Sequence, residues 1–328
     1  MAPMNTSNAT DVIKPALVYR RYIGALSFFF LVLIFIMSMF GNILVMLAFR
    51  AVRKLRTVTN FFVVSLAAAD ILIASFSMPI WGAYLLTGPD WVFSLNLMKM
   101  WTCMDIMCGV ASIINLSAIS IERYLCITFP LSYHTTMTPK KATVIIFGIW
   151  LFAFGMALLK YILWFWPSPN YELIIVISCF LIPLFTMCLS YKMIFQTARY
   201  QARQIALMVN GGVRNFLLAS EIRAAKTLAV VMGAFVVSWG PFFILNLVYG
   251  FCPECIGLEA IVVTKWMHYC NSVCNPIVYA CMNKDFRATF VSILLSGKAC
   301  IMKIRHHGSN NGQTDQTDLS LNMSQQSF

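Results

Sequence analysis

Asp105 is an acid set inside a long apolar stretch, and Glu122-Arg123-Tyr124 closes the same stretch. Helical geometry puts the two about five turns and about 27 Å apart on one face. Charge held in lipid is costly enough to mark a functional site. A single helix thus joins a carboxylate near one side of a bilayer to an ionic triplet near the other, the layout of a signal relay. A second intramembrane acid, Asp70, shares its depth with Ser112, Asn271 and Asn275. Hard oxygen donors beside one carboxylate suit Na⁺. A water-filled hydrogen-bond network without an ion is the other reading of the same residues.

The elements that must carry these groups are membrane spans. The chain is 60% hydrophobic and 11% charged over 328 residues, with mean hydropathy +0.77, a composition that no soluble core sustains. Apolar stretches of spanning length run approximately 23–49, 57–84, 98–126, 142–163, 172–197, 222–250 and 259–281, each long enough to cross about 30 Å of hydrocarbon. With the amino end outside, most Lys and Arg fall on the cytoplasmic side, among them Arg50, Arg53, Lys54, Arg56, Lys140, Lys141, Arg199, Arg203 and Arg214. The net charge of +12 is therefore a topology signal. It is spread along loop edges, which excludes a nucleic-acid-binding domain.

The expected organisation is an extracellular tail (1–22), a seven-helix bundle (23–282), a short amphipathic helix on the inner membrane surface (283–296) and a disordered cytoplasmic tail (297–328). Sequons at Asn5 and Asn8 predict glycosylation of the outer tail. No cleavable signal peptide precedes Tyr22, so the first span is expected to target the chain. Most of the eleven cysteines lie within spans and read as small apolar packing residues. Cys252 and Cys255 differ, because they lie in an outer link. An oxidising compartment and a two-residue gap favour a local disulfide there, and a metal site lacks further ligands. Cys300, just past the surface helix, is a palmitoylation candidate.

The chain resembles the rhodopsin-like G-protein-coupled receptors from the first span through the surface helix. The resemblance rests on Gly41-Asn42, Leu66-Ala67-Ala68-Ala69-Asp70, Glu122-Arg123-Tyr124 and Trp150. It continues through Pro183, Tyr191, Phe235, Trp239, Pro241 and Asn275-Pro276-Ile277-Val278-Tyr279. It implies a packing switch of Ile113, Pro183 and Phe235 beneath Trp239, an allosteric sodium site at Asp70, and an apolar G-protein anchor at Leu131. The residues carry physical readings of their own. Arg123 can pair with Glu122 and, across the bundle, with Glu221, which would hold the third and sixth spans together. Pro241 and Pro276 each remove a mid-helix hydrogen bond and permit kinks.

Ligand class follows from Asp105 and the aromatic residues expected at its depth: Trp239, Phe242 and Phe243 on span six, Trp266 and Tyr269 on span seven. A carboxylate among aromatic faces receives an ammonium group. These residues resemble the aminergic branch, trace-amine and serotonin-type receptors most, in which Asp105 would bind the amine and Tyr269 would orient the acid. Ile106, Gly109, Ser178, Cys179, Asn246 and Lys265 complete the expected ligand set, with Gly109 enlarging the floor.

There are departures from that pattern. Met98 stands where the family places the cysteine that ties the third span to the second outer loop, and the loop around 164–171 has none. Ile175 and Val176 replace the serines that hold a catechol. Lys265, one turn outward of Tyr269, either snorkels to the outer surface or neutralises Asp105. In the second case the ligand becomes a zwitterion, or the receptor signals without one. Tyr269 occupies the position of an opsin's Schiff-base lysine, which argues against a photoreceptor. No internal repeat supports a transporter, the remaining alternative. His134, His268, His306 and His307 have no catalytic spacing, so no enzyme is expected. The expected partners are an amine and a heterotrimeric G protein, with arrestin, receptor kinase and lipids beside them.

Overall fold

The computed structural model describes residues 7–87, 93–165, 169–208 and 233–295, all in helices and their links. The principal helices are α1 (Ser7–Ala51), α2 (Val58–Thr87), α3 (Leu95–Thr128), α4 (Pro139–Ile162), α5 (169–208), α6 (Gly233–Phe251), α7 (Leu258–Met282) and α8 (284–295). A short helix, Pro130–Thr136, lies between α3 and α4. Among the described residues six helices are long and apolar enough to cross a membrane. The seventh, α7, is more polar because it turns Lys265, His268, Asn271 and Asn275 inward, each of them buried. The crossing part of α1 begins at Tyr22, but the helix itself starts at Ser7.

Boundary chemistry explains several ends. Ser94 caps α3 by accepting from Leu97 N at 3.3 Å, and Thr138 does the same for α4 from Lys141 N, just before Pro139. Asn283 Oδ1 accepts from Asp285 N and Phe286 N and so starts α8. Phe286 and Phe290 then pack into the α1–α2 end of the core against Tyr279, which seats α8 on the bundle.

α3 is the central strut and packs on α2, α4 and α5. Buried Ile113, Phe235 and Trp239 belong to one apolar cluster with Phe180 and Phe243. Phe, Leu and Ile side chains along the outside of α1, α4 and α5 remain exposed, as a lipid-facing surface requires. Gly41 lets α1 approach α7 at Pro276, since a β-carbon there would sit 2.8 Å from the proline ring. Asn42 bridges the same contact by donating to Ser272 O at 3.0 Å.

Among the described residues two π turns interrupt the spans, at Ile73–Ser77 in α2 and at Val176–Leu181 in α5. In α2 the amide of Met78 reaches back to Ile73 O, one residue further than an α-helix allows. The extra residue rotates the rest of α2 and brings Ser77 and Trp81 toward α3.

Candidate functional site

Asp105 is buried on α3, and both of its oxygens are engaged. Ser77 donates to Oδ1 at 2.6 Å, and the Lys265 ammonium lies 2.6 Å from Oδ2. Lys265 is only 9% exposed. Of the two courses open to Lys265, its stem takes the one toward Asp105, where a desolvated carboxylate is a better partner than the membrane surface. The faces of Trp101, Phe242, Tyr269 and Trp81 surround the ammonium at 4.9 to 6.0 Å.

Tyr269 does not touch Asp105 directly. Its hydroxyl lies 2.8 Å from Ser77 Oγ, and Trp101 Nε1 donates to the same atom at 3.0 Å. Ser77 spends its single proton on Asp105, so it accepts from both of them. Tyr269 thus orients the acid through Ser77, a residue that the π turn delivers and that sequence reasoning missed.

A cavity of about 210 Å³ opens beside Asp105. Eight of the expected ligand residues line it: Asp105, Ile106, Gly109, Trp239, Phe242, Phe243, Asn246 and Lys265. Four do not. Ser178 donates to Ile174 O at 2.6 Å on an exposed face, and Cys179 is packed in the core cluster. Trp266 packs tilted against Phe30 of α1, and Tyr269 is not among the residues that line the cavity. Gly109 does not enlarge the floor, because Trp239 takes the room: a β-carbon there would meet its ring at 2.9 Å.

The cavity also has members that were not anticipated. His268 is 1% exposed, packs on Trp239 at 4.3 Å, and has no hydrogen-bond partner at either ring nitrogen. Across the cavity, Lys160 of α4 pairs with Glu172 of α5 at 2.8 Å, and its ammonium lies 4.8 Å from the Tyr171 ring. The available signal for this pair was two opposite charges just inside the ends of adjacent spans.

Next to Met98, Lys99 is buried and turned toward the end of α4, with its ammonium 3.9 Å from the Phe165 ring centre and near Tyr161 and Trp164. This contact ties α3 to the start of the α4–α5 link, where the family's disulfide would have joined them. Lys99→Met is expected to lower stability by about 1–2 kcal/mol, the scale of a desolvated cation–π contact. Thermal unfolding of purified receptor checks this, and an unchanged midpoint would remove the tether.

At the other end of α3, Glu122 is fully buried and holds three groups. Thr59 donates at 2.8 Å, Arg123 Nε lies 2.9 Å away, and the Tyr133 hydroxyl donates from the short helix. Burial first, and then the carboxylate, raises the Tyr133 phenol above its ordinary value, so it stays a donor through the physiological range. Tyr191 pairs with Ser120 at 2.9 Å. Arg123, Tyr191, Phe235, Asn275 and Tyr279 line a cavity of about 120 Å³. Glu221 lies outside the described residues, as do Asn5 and Cys300. Asn8 falls within α1, Cys252 and Cys255 are joined by a disulfide, and Pro183 is buried within α5.

Asp70 is fully buried and accepts from Ser272 and Asn275, each at 2.8 Å. Ser272 was not among the expected set. Ser112 Oγ and Asn271 Nδ2 are buried without a hydrogen-bond partner. Among the described residues no cluster of His, Cys, Asp or Glu could hold a metal. A sodium site would therefore rest on the single carboxylate and neutral oxygens.

Residues 41–279 match the family described as 7 transmembrane receptor (rhodopsin family). The histamine H2 receptor of Cavia porcellus is 33% identical over 315 residues, covering 90% of this chain and 83% of that receptor. The D(1) dopamine receptor of Carassius auratus is 33% identical over 349 residues, covering 89% and 94%. The histamine H2 receptor of Canis lupus familiaris is 34% identical over 280 residues, covering 79% and 77%. These relatives are receptors and not enzymes. The chain belongs to the rhodopsin family of multi-pass membrane receptors, on its aminergic branch.

Proposed function

We propose that this receptor sits in the plasma membrane with its amino end outside, binds a small amine-bearing ligand at Asp105, and activates a heterotrimeric G protein at the Arg123 end. The observation that carries the reading is a buried carboxylate on the wall of an aromatic-lined cavity. The helix that bears it ends in the Glu122–Arg123 pair. Relatives named for histamine, dopamine and adrenergic ligands support the amine. Ligand pressing on Trp239 biases the kink at Pro241, which opens the inner cavity and frees Arg123. Leu131, 92% exposed on the short helix, offers the apolar anchor for the partner. The Ser- and Thr-containing sequence that follows α8 suits receptor kinase and arrestin. Na⁺ would be held by Asp70 and Ser112, with Asn271 and Asn275 about it, favouring the closed inner end by its charge.

Asp105→Asn keeps the side chain's shape and removes its charge. The expected result in cells is a loss of about 100-fold or more in potency toward any activating amine, at surface density matched to wild type by an epitope tag. Undiminished potency would overturn the reading.

A further inference from the structure

Both oxygens of Asp105 are occupied, Oδ1 by Ser77 and Oδ2 by Lys265. An incoming ammonium therefore displaces Lys265. A ligand carrying only positive charge then leaves two cations facing one buried carboxylate. The ring faces of Trp101 and Phe242 soften that cost, but they do not replace a lost counter-charge. A carboxylate adjacent to the ligand's ammonium removes the imbalance. The two pairs exchange partners, with ammonium on Asp105 and carboxylate on Lys265, and no charge is left alone.

We infer that the ligand is a zwitterion with adjacent ammonium and carboxylate, an α-amino acid or close relative, and that Lys265 selects it over the corresponding decarboxylated amine. The inference rests on the reading of Asp105 as the ammonium acceptor. Two further observations favour it. The other ionic pair on the wall, Lys160 with Glu172, is already neutral, so the cavity offers no second uncompensated acid to a lone cation. His268, buried with both ring nitrogens unpartnered, lines the same cavity and awaits a polar group on the ligand's side chain. The volume, about 210 Å³, lies below the roughly 300–1,000 Å³ of common ligand pockets and suits a single amino acid over a peptide.

The test uses the full-length receptor in cells and matched probes: phenylalanine, tyrosine, tryptophan and histidine against phenethylamine, tyramine, tryptamine and histamine. G-protein activation is read by sensors for each class of G protein, at equal surface density. At least one amino acid is expected to act on wild type at concentrations at least about tenfold below its amine, and Lys265→Met is expected to invert that order. The double variant Asp105→Asn/Lys265→Met, which buries no unpaired charge, is expected to lose both responses while reaching the surface. A wild-type preference for the amine, or a ratio unmoved by Lys265→Met, overturns the inference and leaves the amine reading standing. Silence to all eight probes in wild type and Lys265→Met alike removes the amine reading itself.

Discussion

Asp105→Ala is expected to destabilise the receptor by about 3–5 kcal/mol, and Asp105→Ala/Lys265→Met to recover most of that loss. The asymmetry comes from desolvation. The single variant strands the Lys265 ammonium among aromatic rings, 9% exposed, with no anion. The double variant replaces the pair with apolar volume. A hydrophobic replacement of a buried pair is often neutral, whereas breaking it is not. Thermal unfolding of the detergent-solubilised protein, run as a double-mutant cycle, measures the coupling directly. Additive losses would mean that the two side chains do not share one ion pair.

The second large effect is expected at Glu122. Its carboxylate is fully buried and accepts from Thr59, Arg123 and Tyr133. Glu122→Gln preserves the shape but removes the charge that holds Arg123, and hydrogen bonds to a charged group are each worth about 1.5–3 kcal/mol. If Arg123 restrains the inner end of the bundle, ligand-independent signalling should rise about tenfold, since 1.4 kcal/mol on a two-state equilibrium is a factor of ten. Thermal stability should fall in the same variant. Tyr133→Phe removes one of the three donors and should move both readouts the same way by less. Basal signalling equal to wild type would assign Glu122 a purely structural part.

Hydropathy and spacing made much of this legible in advance. Among the described residues six of the helices are apolar enough to declare themselves, and α7 is legible at 259–281 as a stretch of spanning length despite its inward polar residues. Asp105 and Arg123 were legible because charge in lipid has few explanations. What stayed hidden depended on rotation and reach. The four-carbon stem of Lys265 could go outward or inward, and only the position of Asp105 decides between them. Gly109 looked like empty space because the ring that fills it comes from another helix. Ser178 and Cys179 were the polar residues nearest the expected contact, but the first turns to its own backbone and the second into the core. Lys160 and Glu172 sat at span ends, where a charge ordinarily means only a boundary.

The π turn at Ile73–Ser77 has a consequence for every residue-by-residue transfer onto α2. One added residue in a turn advances the following side chains by about 100° around the axis. Counted against a relative whose second helix is uninterrupted, every position from Met78 onward is off by one place, and a correct match needs a one-residue gap inside the turn. Deleting a single residue between Ile73 and Phe76 would perform the reverse operation on the protein. It would leave Asp70 and the inner half of α2 where they are, and swing Ser77 and Trp81 away from Asp105. The extra residue is thus an index mark that sets the outer half of α2 relative to its inner half.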